Sequence, residues 1–411
     1  MSDQVYPFEG IRVLDFGIGA AGVEAGRFFS EWGADVIKVE SIVQLDFLRI
    51  TVGSMMNPLF ASSSRTKRSL GVNVRAPEGL ALVHRLVEQS DVLIENSRKG
   101  AMKRIGLGWE TLHEINPRLV MLSSQLLGSN GPWSDWAGYG PNVGAVAGLT
   151  YLWNHPEDGS PPVGVSTIYP DHLIGRLLAL GGTAALIGRE KSGVGAHVEV
   201  AQFEAVIGMM GDLLLAESIE PGSAQPQGNV RDRGVPWGLY PSSGDDEWLA
   251  ITVRDDDQWQ RLVHQLGDPL WADTDLDNVV GRLRRREEID NELAKWTSQR
   301  SAEMSMHVLQ RAGVPSALIQ TAQDQLKDPQ MNHRGFPRPM DQPGVGALLL
   351  EGPAFRGNGL PEPIIRAAPD LGEHTREICR DLLQLSDEQI EELLSRGVLE
   401  ESATQDATST A

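Results

Sequence analysis

The sequence predicts an α/β protein: a large Rossmann-like domain on a parallel sheet, joined to a smaller α+β domain. Three observations carry this prediction. Short apolar runs alternate with amphipathic helical stretches from Gly10 to Ser124, the pattern of repeated βαβ units. A glycine-rich turn, Gly17-Ile-Gly19-Ala-Ala-Gly22, follows the first run and opens the first helix. The character then shifts at residues 218–236, rich in Pro, Gly, Ser, Gln and Asn, and a second set of strand and helix signals follows.

Residues 11–16 read as a buried strand, 20–32 as a helix and 35–40 as the next strand, which makes a βαβ unit and implies a sheet covered on both faces. Helix 76–89, strand 92–95, helix 109–115 and strand 119–124 continue the alternation. Pro170 biases Tyr169 towards an extended form, and a helical pattern with Leu173, Leu177, Leu178 and Leu180 then begins. That puts Asp171 at or beside the N-cap. Gly175, Gly181 and Gly182 cost helix propensity and imply a close neighbour. The first part of the large domain spans residues 1–217, with a linker at 218–236. The small domain spans 237–320, with strands at 248–253 and 316–319 and helices at 258–265, 279–297 and 302–312. A second linker, 321–334, leads to a return into the large domain at 335–399. This last part has short strands at 346–352 and 354–355 and a charged helical region at 370–396. Residues 400–411 are rich in Ser, Thr and Ala and read as a disordered tail.

A chain of 411 residues with 41% hydrophobic and 22% charged residues can bury large cores. Its net charge of −20 argues against nucleic-acid and membrane partners. The single cysteine, Cys379, excludes an intrachain disulfide and fits a reducing compartment. A polar, acidic N-terminus is no signal peptide, and no apolar run is long enough to span a membrane, so the expected location is cytoplasmic.

Asp171 reads locally as a helix cap. The turn Gly17–Gly22 with Glu40 at the end of the next strand fits a dinucleotide fingerprint, yet Asp15 stands where a pyrophosphate would lie. Tight turning and close helix–strand packing are the better account of these glycines. In an acidic protein the sign reverses between Arg65 and Arg104. Nine cations (Arg65, Lys67, Arg68, Arg75, Arg85, Arg98, Lys99, Lys103 and Arg104) face four acids there (Glu78, Glu88, Asp91 and Glu95). Arginine forks match phosphate oxygens, while ion pairs and solvated faces account for about half of such residues. Scattered histidines without ligand spacing predict no metal site, and the lack of a Gly-x-Ser-x-Gly elbow argues against an α/β-hydrolase.

Several segments occur in a set order: Gly10-Ile-Arg-Val-Leu-Asp-Phe, Gly33-Ala-Asp-Val-Ile-Lys-Val-Glu40, Lys67-Arg-Ser-Leu70, Asp91-Val-Leu-Ile-Glu-Asn96, Asn116-Pro-Arg-Leu-Val120, Asp171, Gly193-Val-Gly195 and Leu371-Gly-Glu-His-Thr-Arg376. In this the chain resembles, over nearly its whole length, the family III CoA-transferases, the group that includes formyl-CoA and carnitine-CoA transferases and α-methylacyl-CoA racemases. The resemblance implies an interlocked homodimer, acyl-CoA and carboxylic acid substrates, and no cofactor beyond coenzyme A. It implies that Asp171 is the nucleophile. CoA contacts fall on Ala20, on Val72, Asn73, Val74 and Arg75, on Asn96, Ser97 and Arg98, and on Arg104. Tyr139 and Asn142 fall at the substrate.

The chain departs from the pattern at three places. Ser97 replaces an aromatic residue. Tyr139 stands where the racemases carry a proton-moving histidine, and Gly140 where formyl-CoA-type transferases carry glutamate. The expected reaction is transfer of CoA from an acyl-CoA donor, such as succinyl-CoA, to a carboxylic acid. The alternatives are an acyl-CoA racemase or isomerase, with Asp171 as an acid–base group, and a CoA-binding subunit that partners a paralogue.

Overall fold

The structure, a computed structural model, describes residues 5–155, 169–229 and 234–402. Seven strands form its main sheet in the order β12-β3-β2-β1-β4-β5-β6. These are β1 (Arg12–Asp15), β2 (Asp35–Glu40), β3 (Arg68–Val72), β4 (Val92–Glu95), β5 (Val120–Gln125), β6 (His197–Ala201) and β12 (Leu399–Glu400). All pairings are parallel except β12 with β3. Leaving out β12, the order 3-2-1-4-5-6 is that of a doubly wound Rossmann-type sheet, which reverses direction between β1 and β4.

Alternation along the strands divides the apolar side chains between two cores. Val13, Val36, Ile94 and Leu122 pack with Ala25 and Phe29 of the helix Ala21–Glu31 and with Ile174 and Leu178 of the helix Tyr169–Ser192. Leu14, Ile37, Leu70 and Leu93 face the helices Pro77–Val87 and Thr375–Asp381. Gly175 lets the two helices of the first core meet. A Cβ at residue 175 would lie 2.4 Å from the Cβ of Glu24. The close neighbour is thus the helix Ala21–Glu31 at Gly175, Val198 of β6 at Gly181, and Leu122 of β5 with Phe29 at Gly182.

The chain divides into two compact units. The first comprises Met1–Leu149, Gly164–Leu215 and Gly335–Ala411, and also holds the hairpin β10 (Arg338–Gln342) with β11 (Gly346–Leu350). The second comprises Thr150–Val163 and Ala216–Arg334. It is built on the antiparallel sheet β7 (Trp237–Pro241), β8 (Trp248–Thr252) and β9 (Ser316–Leu318), with a core around Trp259, Leu262, Ile289, Leu293 and Leu309.

Several expectations are corrected. Residues 150–155 leave the first domain, because Tyr151 Oη donates to Gln225 (2.6 Å) and the Gly228 N–H to the Asn154 carbonyl (3.1 Å). Glu400 belongs to a strand rather than a tail, and its carboxylate accepts from Ser41 Oγ (2.6 Å) and the Ile42 N–H (2.7 Å). The rest of the expected tail, 403–411, lies outside the described residues. Helix 279–297 is two helices, Val279–Arg284 and Arg286–Ser298. Residues 354–355 form no strand, and Tyr169 is helical rather than extended. Strands β3, β6, β7, β10 and β12 carry too little apolar alternation to be read from sequence.

Beneath the β1 turn lies a dry ionic cluster. Lys67 Nζ meets Asp15 at 2.6 Å and Lys38 Nζ meets Asp46 at 3.0 Å, and all four side chains are fully buried. Removing one partner strands a charge, which costs more than the pair itself contributes. Asp15→Ala is expected to lower the unfolding free energy by about 3–5 kcal/mol, and Asp15→Ala with Lys67→Met to regain most of it. Urea denaturation of the three proteins checks this.

Candidate active site

Open α/β sheets bind ligands beyond the carboxyl ends of the strands where the order reverses. The turn after β1 and the loop after β4 flank that point here, and both line a cavity of about 700 Å³. The β1 turn brings Ile18, Gly19 and Ala20, and the β4 loop brings Asn96, Ser97, Arg98 and Lys99. Apolar walls come from Phe47, Leu48, Leu59, Leu126, Leu127 and Trp136. Asp171 and His172 enter from the first turn of the helix Tyr169–Ser192, the end at which a helix dipole favours negative charge.

The β1 turn is not a phosphate cradle. Its N–H groups donate to side chains: Gly17 to Asp15 (2.8 Å), Ile18 to Asn96 (2.8 Å) and Gly19 to Asp46 (2.9 Å). Glu40, the candidate ribose-binding acid, is instead bound to the buried Arg49 at 2.8 Å. Both features needed for a dinucleotide are thus occupied within the protein.

Asp171 is half-buried, and burial holds its carboxyl above the ordinary value, against the opposing influence of His172. Its carboxylate lies against the backbone of Gly140, where a Cβ would stand 2.1 Å from Asp171 Oδ2. Any side chain at residue 140 would therefore have to displace the Asp171 carboxylate. His172 Nδ1 lies 3.4 Å from Glu24, which is almost fully buried.

Ala20, Asn96, Ser97, Arg98, Tyr139 and Asp171 share this cavity, whereas the other candidates do not line it. Val72, Asn73 and Val74 border a separate small recess beside Glu40, Ser41 and Asp46. Arg75 and Arg104 are exposed and form no ion pair among the described residues. Asn142 caps its own helix, its Oδ1 accepting from the Tyr139 N–H at 2.8 Å. Tyr139 is 73% exposed at the rim, edge-on to Phe47 with ring centroids 6.5 Å apart. The basic run divides: Arg65, Lys67 and Arg68 are held in buried or partly buried ion pairs. Arg85 donates to the Leu383 carbonyl.

Sequence reading missed Glu24, Phe47, Glu95, Gln125, Trp136 and Gln202. Only Trp136 carried a signal, as part of the polar, aromatic run Gly-Pro-Trp-Ser-Asp-Trp. Glu95 is buried below the cavity floor and accepts from the Ser97 N–H (2.8 Å) and Gln125 (3.2 Å). Burial pushes it up to about 7, with hydrogen bonds from Ser123, Ser97 and Gln125 opposing.

The sequence profile described as CoA-transferase family III matches residues 8–375. The chain belongs to CoA-transferase family III. A Mycobacterium tuberculosis protein named as a probable CoA-transferase is 38% identical to this family III chain over 407 residues. The match takes in 96% of this chain but 50% of that protein, so the chain spans half the length of that relative. Succinyl-CoA–D-citramalate CoA-transferase of Chloroflexus aurantiacus is 31% identical over 400 residues, covering 96% of this chain and 98% of that one. Among solved structures, a CAIB/BAIF family protein from Brucella suis superposes with a TM-score of 0.83 at 28% identity, covering 92% of this chain and all of that one. The α/β fold follows from this membership, and CoA transfer as the class of activity from it together with the relatives named as CoA-transferases.

Proposed function

We propose that the protein moves CoA from an acyl-CoA donor, succinyl-CoA being the first to test, to a carboxylic acid, with Asp171 as the covalent nucleophile. The placement of Asp171 carries this reading: a partly desolvated carboxylate on a helix start, aimed into a large cavity at the switch point of the sheet. Its carboxylate attacks the thioester carbonyl, forming an aspartyl–acyl anhydride and expelling CoA thiolate. The thiolate then attacks the aspartyl carbonyl and releases the donor acid, leaving an aspartyl–CoA thioester. The acceptor carboxylate attacks that thioester to form a new anhydride. The thiolate, freed again, attacks the acyl carbonyl of this anhydride, so the new acyl-CoA leaves and Asp171 is restored. Splitting the exchange into anhydride and thioester steps is covalent catalysis.

The deciding experiment is intact-protein mass spectrometry after incubation with succinyl-CoA alone, followed by peptide mapping. A CoA adduct on Asp171 that hydroxylamine removes supports the reading, and an adduct elsewhere overturns it. A screen of acyl-CoA donors against carboxylic acids then names the substrates.

The exposed arginines are assigned to the CoA phosphates. Arg104→Ala is expected to weaken CoA-ester binding by about 1.5–3 kcal/mol, the range for hydrogen bonds to charged groups. Calorimetry with intact and dephospho-CoA esters checks this, and a smaller effect with the dephospho ester places Arg104 at the 3′-phosphate.

A homodimer is the proposed assembly. Leu180, Ile187, Met209 and Leu214 are 45–65% exposed, more apolar surface than isolated contacts with water explain. Light scattering at micromolar concentration is expected to give twice the 44.8 kDa chain mass. A monomer rules out the homodimer, and co-purification with a different chain indicates a heteromer.

A further inference from the structure

An acid that accepts CoA must enter, as an anion, a cavity that already holds Asp171 and Glu24. Some cation has to receive it. Arg98 donates to the Asp135 carbonyl (2.7 Å) and Lys99 to Ser134 Oγ (2.6 Å), so both are turned to one wall. Among the described residues, His172 is the remaining cavity-lining group that can carry positive charge, and it adjoins Asp171 in sequence.

Positive charge on His172 is favoured by a partly buried relay of ion pairs. Glu24 meets His172 Nδ1 at 3.4 Å and Arg27 at 2.5 Å. Arg27 continues to Glu351, Glu351 to Arg65 (3.3 Å), and Arg65 to Glu31 (2.6 Å). Three carboxylates thus face two guanidinium groups, an excess of negative charge that favours a positive His172. Among the described residues, the other charged group acting on His172 is Asp171, beside it on the same helix. The helix Gly140–Val146 brings no ionisable side chain. With Nδ1 turned to Glu24, Nε2 is the free donor, and 47% of the side chain is exposed.

We propose that His172, kept as an imidazolium by the Glu24–Arg27 relay, binds the carboxylate of the acid that accepts CoA. This rests on the reading of Asp171 as nucleophile. The Glu24 hydrogen bond raises the imidazole above its ordinary value, with burial opposing. Acceptor binding is therefore present below that raised value and is lost as pH rises through it.

Two measurements on the full chain decide the matter. In histidine-ring NMR, one imidazole signal, absent from His172→Gln, titrates above the free-histidine range and moves higher still when sodium succinate is added. In exchange of CoA between succinyl-CoA and isotopically labelled succinate, His172→Gln raises the succinate KM about tenfold or more and flattens its pH dependence. Glu24→Gln retains the imidazole but shifts the rise in KM to lower pH, an effect that mere loss of packing does not produce. A titration insensitive to succinate, together with an unchanged succinate KM in His172→Gln, overturns the proposal. Absence of a donor adduct on the wild-type enzyme counts instead against Asp171, while the NMR arm, which needs no turnover, still decides His172.

Discussion

Asp171→Asn is expected to abolish CoA transfer, by at least about four orders of magnitude, while the protein stays folded and still binds CoA esters. The amide keeps the volume of the carboxylate and its ability to accept hydrogen bonds, so the first helical turn loses little. It has no anionic oxygen with which to attack a thioester. The adduct formed with succinyl-CoA alone should disappear with the activity. Residual turnover near the wild-type rate in a folded variant removes Asp171 from the mechanism.

Gly140→Ala tests the same carboxylate without touching it. The added Cβ would lie 2.1 Å from Asp171 Oδ2, closer than any real contact, so one of the two must move. Because the obstructed atom is the end of a side chain, the carboxylate swings away and the fold pays almost nothing. Alanine also suits the helix Gly140–Val146 better than glycine does. Stability is therefore expected to hold while kcat falls about a hundredfold, the scale for a displacement of about 1 Å at a reacting atom. Thermal melts beside steady-state kinetics check both halves, and an unchanged kcat would show that the position of Asp171 is not set by Gly140.

Much of the fold was legible because β1, β2, β4 and β5 are apolar runs flanked by helices with clear faces. The strands that escaped are those whose burial depends on distant partners. In β3 the alternation is broken by Arg68 and Ser69, whose polar atoms are met by Asp35, His374 and Gly372. At the site, Asp171 could be singled out through its place in a family-wide order of motifs, but not its environment. Glu24 reads as one of two acids in its helix, and only the approach permitted by Gly175 brings it to His172. Asn96 was expected at CoA and does line the cavity, but the sequence did not show that its amide is engaged twice with Ile18, donating to the carbonyl and accepting the N–H. Residue type and order were therefore readable, whereas which polar atoms were already occupied was not.

The pairing of Leu399 with Val72 has a consequence for biosynthesis. Strand β3 is translated early, yet its outer edge finds its partner only when residues 399 and 400 leave the ribosome. Throughout elongation that edge presents unpaired N–H and C=O groups, the template on which nascent chains stick to one another. The same late segment, through Glu400, also fastens Ser41 and Ile42 beyond β2. Completion of the sheet and fastening of that loop are thus a single late event, and any partner that covers the β3 edge before then competes with residues 399 and 400.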